Sequence, residues 1–234
     1  MDTIIKYIDL IENWKVIDIS TSCYPNMPSY PGDPKFKITG PYSVLPTDKV
    51  REYCYEITMS TQTGTHIQAP HYFLENGQKI DQFPLTTFRM IAVVIDLSQD
   101  FTDTISRINE LHKKYDLNNK AVIFRTGYQD RFEPCGKSPV ESDSIKHPSI
   151  SLKVARELCD LKIALVGIDA IGFEPETSQQ FEVNLLFCEK GVLILEGLIN
   201  LNLITGDIFL IEAYPLKILN VEGTPCRAVA IVAE

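Results

Sequence analysis

Residues 62–81 read Gln62-Thr63-Gly64-Thr65-His66-Ile67-Gln68-Ala69-Pro70-His71-Tyr72-Phe73-Leu74-Glu75-Asn76-Gly77-Gln78-Lys79-Ile80-Asp81. Two of the chain's four histidines fall in this stretch, beside glycine and proline punctuation. A histidine set between strand-like residues and a turn is a metal ligand, an acid/base group or a hydrogen-bonded structural imidazole. Spacing alone leaves these readings open.

Outward from this stretch, Arg51–Ser60 (REYCYEITMS) alternates as a strand does and leads into it. Further upstream, Val16–Ser20 reads as a strand, and Asp2/Thr3 followed by Ile4, Ile5, Ile8, Leu10 and Ile11 predicts a short helix ending near Trp14. Between them, Pro25, Pro28, Pro31 and Pro34 stiffen a loop over 23–34, because each fixes φ and removes a donor. That loop reads as an ordered lid or pocket wall. Downstream, strands are expected at Ala92–Leu97, Ala121–Thr126, Ile163–Asp169, Val192–Leu198, Phe209–Tyr214 and Ala228–Val232. Helices are expected over Thr104–Leu117 and Ser151–Leu161. Strand and helix alternate in the middle while strands adjoin strands at both ends. The pattern predicts an α/β fold, a mixed central β-sheet with flanking helices, in a single domain over 1–234.

Composition sets outer limits. The 234 residues carry 22 Lys+Arg against 31 Asp+Glu, a formal charge of −9. Phosphate neutralisation needs clustered Lys and Arg, so neither nucleic acid nor an anionic membrane surface is an expected partner. No apolar stretch approaches the ~20 residues of a membrane span, and the first residues lack the basic and apolar regions of a signal peptide. Six scattered cysteines with no CxxC pair predict a reduced cytoplasmic protein. Neither a Gly-x-Ser-x-Gly elbow nor a phosphate-cradling glycine loop occurs, which removes serine-hydrolase and nucleotide-binding readings.

The quoted stretch resembles the signature H-x-G-T-H-x-D-x-P-x-H of the metal-dependent cyclase family of hydrolases, which includes bacterial kynurenine formamidase (arylformamidase). The resemblance extends to Asp18-Ile19-Ser20 with Met27–Pro34, to Ile123–Tyr128, to Val166–Asp169, to Ile194–Leu201, and to Pro215–Ile218 with Pro225–Ala230. It implies the cyclase-family fold of swivelling β/β/α type. It also implies hydrolysis of an aryl formamide or a related cyclic amide or lactone, by a hydroxide formed on one or two divalent metals. Homodimers or homotetramers are implied as well.

Carried over residue by residue, the family's first histidine stands here as Gln62, its aspartate as Gln68, its last signature histidine as Tyr72 with His71 one place early, and its later histidine as Asn184. Only His66 and Glu196 keep the family residue. The expected catalytic set is His66, Glu196, Tyr72 and His71, with Gln62, Gln68 and Asn184 as substrate-binding groups. Any metal would rest on His66 and Glu196. A hydrolytic Zn²⁺ or Mn²⁺ wants three strong donors, so the expected cofactor is none or one weakly held zinc or manganese ion. The alternative is a metal-free, non-catalytic homologue that binds a small molecule or a protein partner. In the catalytic reading, His66 polarised by Glu196 activates water. Asp169 and Arg125 read as structural groups, His112 as solvent-facing on its helix, and His147 as a loop residue.

Overall fold

The computed structural model describes residues 14–27, 29–30, 32–42, 52–98, 102–129, 148–175 and 178–233. The predicted N-terminal helix, apart from Trp14, and His147 lie outside these residues. Ten strands are described. They are β1 (Trp14–Asp18), β2 (Lys37–Tyr42), β3 (Cys54–Thr58), β4 (His66–Gln68), β5 (Arg89–Asp96), β6 (Ala121–Arg125), β7 (Leu165–Ile168), β8 (Leu193–Glu196), β9 (Ile208–Pro215) and β10 (Gly223–Ala233). Three α-helices accompany them: α1 (Thr104–Tyr115), α2 (Leu152–Asp160) and α3 (Glu182–Glu189).

The main sheet runs β1-β10-β4-β8-β7-β6-β5-β9, and β9 also pairs with β10. Strands β5 to β8 are parallel and the remaining pairings antiparallel. The sequence pattern predicted a mixed sheet and the structure has one, but its ends meet. Strand β10 is long enough to serve both sides. It pairs with β4 through Gly223–Pro225, with β9 through Cys226–Ile231, and with β1 through Val229–Ala233. Seven strands thus close into a barrel, with β1 laid on β10 outside the ring. Closure leaves the barrel without free edges. Strands β2 and β3 form a separate antiparallel ribbon whose residues are all exposed.

Two apolar cores follow from the two-residue period of the strands. Ala92 and Val94 of β5, Ile123 of β6, Leu193 and Leu195 of β8, and Phe209 and Ile211 of β9 fill the barrel. The alternate residues Val93, Ile95, Phe124, Val166 and Ile194 face outward and pack under the helices with Ile108, Leu158 and Phe187. Both faces of the parallel strands are therefore covered, which is why their sequences read as continuous apolar runs.

The helix ends follow the sequence only in part: Asp103, at the start of α1, makes no side-chain capping bond. His112, Lys113 and Lys114 occupy the last turn of α1, where cations complement the helix dipole. His112 does more than face solvent: its Nδ1 accepts the Leu117 N–H at 3.2 Å. Ser151 caps α2 by accepting the Val154 N–H. Helix α3 was not legible, because Phe181 at its N-cap carries no capping oxygen and sits in left-handed backbone at φ 51°. The missing acceptor comes from further back in the connection between β7 and α3, where Glu174 Oε1 takes the Asn184 N–H at 2.8 Å. Among the described residues, no helix is long and apolar enough to cross a membrane.

Candidate functional site

Strand β4 is only three residues long, and its pleat decides the site. Ile67 points into the barrel core, so His66 and Gln68 point outward, toward the helix-covered face. In β8, Leu195 points inward and Glu196 outward by the same rule. The antiparallel register sets His66 directly opposite Glu196, and cross-strand partners of this kind hold side chains within reach of each other. His66 Nε2 lies 3.3 Å from Glu196 Oε2, with the two side chains 7% and 4% exposed.

The flanking turn is locked onto β8. Thr65 Oγ1 donates to Gly197 O at 2.6 Å, and Thr21 Oγ1 donates to the same carbonyl at 2.8 Å. Gly197 has φ +70°, and a Cβ there would lie 2.5 Å from Gly64 O. Only glycine permits both that conformation and that approach.

Hydrogen-bond partners fix the proton positions. Gly64 O can only accept, so His66 Nδ1 donates to it at 2.8 Å. Gln68 Nε2 has two hydrogens and two close acceptors, Gln62 Oε1 at 2.8 Å and Glu196 Oε2 at 2.8 Å. No hydrogen remains for His66 Nε2, 3.1 Å from that nitrogen. Nε2 also faces Glu196 Oε2 at 3.3 Å, which places the ring to offset the charge of the buried carboxylate, otherwise costly. The chain of bonds continues outward: Gln62 Nε2 donates to Glu222 Oε1 at 3.0 Å, and Thr61 Oγ1 donates to the same oxygen.

Three oxygens at expected site positions are buried without a partner: Glu196 Oε1, Gln68 Oε1 and Asn184 Oδ1. A Cβ on Gly172 would lie 3.7 Å from Glu196 Oε1, so the loop after β7 roofs that atom. Asn184 is the third residue of α3, the helix that packs against β8 and the 3₁₀ turn Pro70–Tyr72. Tyr72 stands at the rim, 39% exposed. Burial, then the Glu196 charge, and then Asp33 and Glu222, push its phenol up to about 12. It is therefore a hydrogen-bond donor at neutral pH.

His71 is not part of this network; its Nδ1 donates to Leu74 O at 3.2 Å. Asp169 is fully buried, and its carboxylate accepts from Thr126 N, Thr126 Oγ1 and Gly127 N at 2.7–3.0 Å, a structural clamp on the turn after β6. Arg125 pairs with Asp96 at 2.7 Å and donates to Leu201 O and Ile204 O. Sequence reasoning did not single out Glu222, which completes the amide relay. Its signal was faint, a lone acidic residue in the turn that opens β10.

A hydrolytic metal fits these residues poorly. Among the described residues, no group of three or more His, Cys, Asp or Glu side chains could hold a metal ion. The Gln68 NH₂, a donor, lies 3.1 Å from His66 Nε2 and 2.8 Å from Glu196 Oε2. A cation requires acceptors around it, and neutral amide oxygens bind zinc or manganese weakly.

Fold and site together define an α/β protein with a closed mixed barrel. Its polar centre lies on the outer, helix-covered face of β4 and β8. The chain belongs to the Cyclase family, whose model matches residues 17–175. It is a hydrolase-like member that resembles arylformamidase. Kynurenine formamidase from Geobacillus thermodenitrificans (strain NG80-2) is 30% identical over 214 residues, covering 91% of this chain and 95% of that protein. Kynurenine formamidase from Salinibacter ruber (strain DSM 13855 / M31) is 30% identical over 217 residues, covering 92% and 96%. An isatin hydrolase bound to the product analogue thioisatinate matches with a TM-score of 0.85 at 21% identity, over 100% of this chain and 99% of that one, a likeness of fold. A Bacillus stearothermophilus structure, described as that of a predicted metal-dependent hydrolase, matches with a TM-score of 0.71 at 27% identity, over 93% and 98%.

Proposed function

We propose that this chain, a single domain over 1–234, hydrolyses a small aryl formamide or a related cyclic amide, with Glu196 as the general base. The observation that carries this reading is the buried Glu196 carboxylate with one oxygen held and the other unpartnered. The sequence pointed to His66 as the base. Both of its ring nitrogens are engaged, which leaves Glu196 Oε1 as the atom free to take a proton.

In this reading, water bonds to the amide carbonyl carbon while Glu196 Oε1 takes its proton. The C–N bond of the tetrahedral adduct then breaks, and Glu196 returns that proton to the departing nitrogen. The His66 ring and the Gln68 amide hold Oε2 in place. The Tyr72 hydroxyl is a donor placed to stabilise the developing oxyanion. Gln62 and Asn184 contribute to substrate binding. His66 and Glu196 would also be the anchors of any divalent ion, a weak site by its donor count. The same reading includes assembly as a homodimer or homotetramer, which light scattering tests.

The test is formation of kynurenine from N-formylkynurenine, with and without added Zn²⁺ or Mn²⁺, in wild type, Glu196→Gln and His66→Ala. The expected result is turnover in wild type without added metal and a loss of at least about 100-fold in Glu196→Gln. Wild-type turnover no higher than that of His66→Ala would reject the reading in favour of a binding protein.

A further inference from the structure

We infer that the polar centre around Glu196 takes a positively charged organic group bearing several N–H donors, an amine or amidine, in preference to a neutral or anionic isostere of that group. This deepens the hydrolase reading and rests on it only for the location of the site. The three unpartnered buried atoms here are all oxygens: Glu196 Oε1, Gln68 Oε1 and Asn184 Oδ1. Their residues are 3%, 3% and 6% exposed, so bulk water does not satisfy them. A buried acceptor left without a donor is destabilising, and a ligand that supplies donors recovers that loss.

Charge points the same way. The network contains two carboxylates, Glu196 and Glu222, linked through Gln68 and Gln62, against one imidazole. No lysine or arginine donates to any member of it among the described residues. Asp33 adds a third acidic group near the rim, beside Tyr72. The donors inside are already spent: the Gln68 NH₂ on Gln62 and Glu196, the Gln62 amide on Glu222, and His66 Nδ1 on Gly64. An incoming carboxylate would meet acceptor oxygens and negative charge at Glu196 and Gln68. An amidinium or ammonium would meet acceptors able to receive each of its hydrogens in charge-assisted bonds. An aromatic body on that ligand would lie against Tyr72 and the neighbouring exposed Tyr30.

The probes are benzamidine, its neutral amide benzamide and its anionic isostere benzoate, each titrated calorimetrically into EDTA-treated protein, with Mg²⁺, Mn²⁺ and Zn²⁺ in separate runs. Benzamidine is expected to bind at least tenfold more tightly than either isostere. Glu196→Gln should weaken it about 10- to 100-fold, while Asn184→Asp, which adds a carboxylate, should tighten it. The circular dichroism spectrum checks that each variant is folded. Benzoate or benzamide binding as tightly as benzamidine would overturn the inference. So would a divalent ion binding where benzamidine does not, or a folded Asn184→Asp variant with unchanged affinity. These measurements need no turnover. A protein that binds benzamidine without hydrolysing formamides would retain this inference and lose the catalytic one, and the converse result would do the opposite.

Discussion

Replacing His66 with leucine removes the group opposite Glu196 and leaves a carboxylate that is 4% exposed, with one amide N–H for company. Breaking a buried ion pair from one side costs about 3–5 kcal/mol. In a chain of this length, each kcal/mol lowers Tm by about 2–4 °C, so His66→Leu should melt about 6–20 °C below wild type. Glu196→Leu should cost a similar amount, because it leaves the His66 ring without the group opposite it. The double variant His66→Leu/Glu196→Leu removes both members of the pair. It leaves Gly64 O and one Gln68 hydrogen without partners, about 1–3 kcal/mol each. The two singles therefore sum to about 6–10 kcal/mol and the double costs about 2–6 kcal/mol, a coupling of about 4 kcal/mol between the middles of the two ranges. Urea unfolding of the four proteins at pH 7.5, with m-values compared, measures it. A double variant that loses as much as the two singles together would show that no charge pair exists between β4 and β8. The catalytic assignment would fall with it.

Gly197→Ala should be strongly destabilising, because φ is +70° and the new Cβ would sit 2.5 Å from Gly64 O, whereas Gly191→Ala, at φ +72° in open space, should cost only about 1–2 kcal/mol; equal losses by thermal unfolding would refute the tight approach of the signature turn to β8. Lys114 beside Asp207 holds that carboxyl below the usual range. Its stabilising contribution is present above its unfolded pKa of about 4 and is lost as pH falls through the lower folded value. Asp207→Asn should therefore flatten the acid limb of the stability–pH curve, and an unchanged limb would contradict this. Burial pushes Cys159 up to about 11 and Cys188 and Cys226 up to about 12, while Cys23 and Cys54 are exposed. With an aromatic disulfide reagent at pH 8, Cys23 and Cys54 should react first, the partly buried Cys159 and Cys226 more slowly, and the buried Cys188 only on unfolding; Cys188 labelling as fast as Cys54 would contradict this.

The sequence by itself determined six of the seven barrel strands, all but the three-residue β4, because alternation and apolar runs record burial directly, as in Ala92–Leu97 and Ala121–Thr126. Two helices were legible from their apolar stripes and polar starts. The signature stretch and the other matching blocks pointed to the family and gave His66 and Glu196 as expected site residues. Three things only the tertiary structure decided. Closure of the sheet depended on β10 reaching β4, β9 and β1 at once, a long-range pairing that no local pattern encodes. Helix α3 starts on the Glu174 carboxylate, which the preceding connection folds back onto the helix start, so the N-cap position itself lacks the usual signal. The proton logic of the site came last. Which atom of the His66–Glu196 pair is free depends on Gly64 O, Gln68 and Gln62 converging from a three-residue strand and its turn, and hydrogen-bond direction exists only in three dimensions.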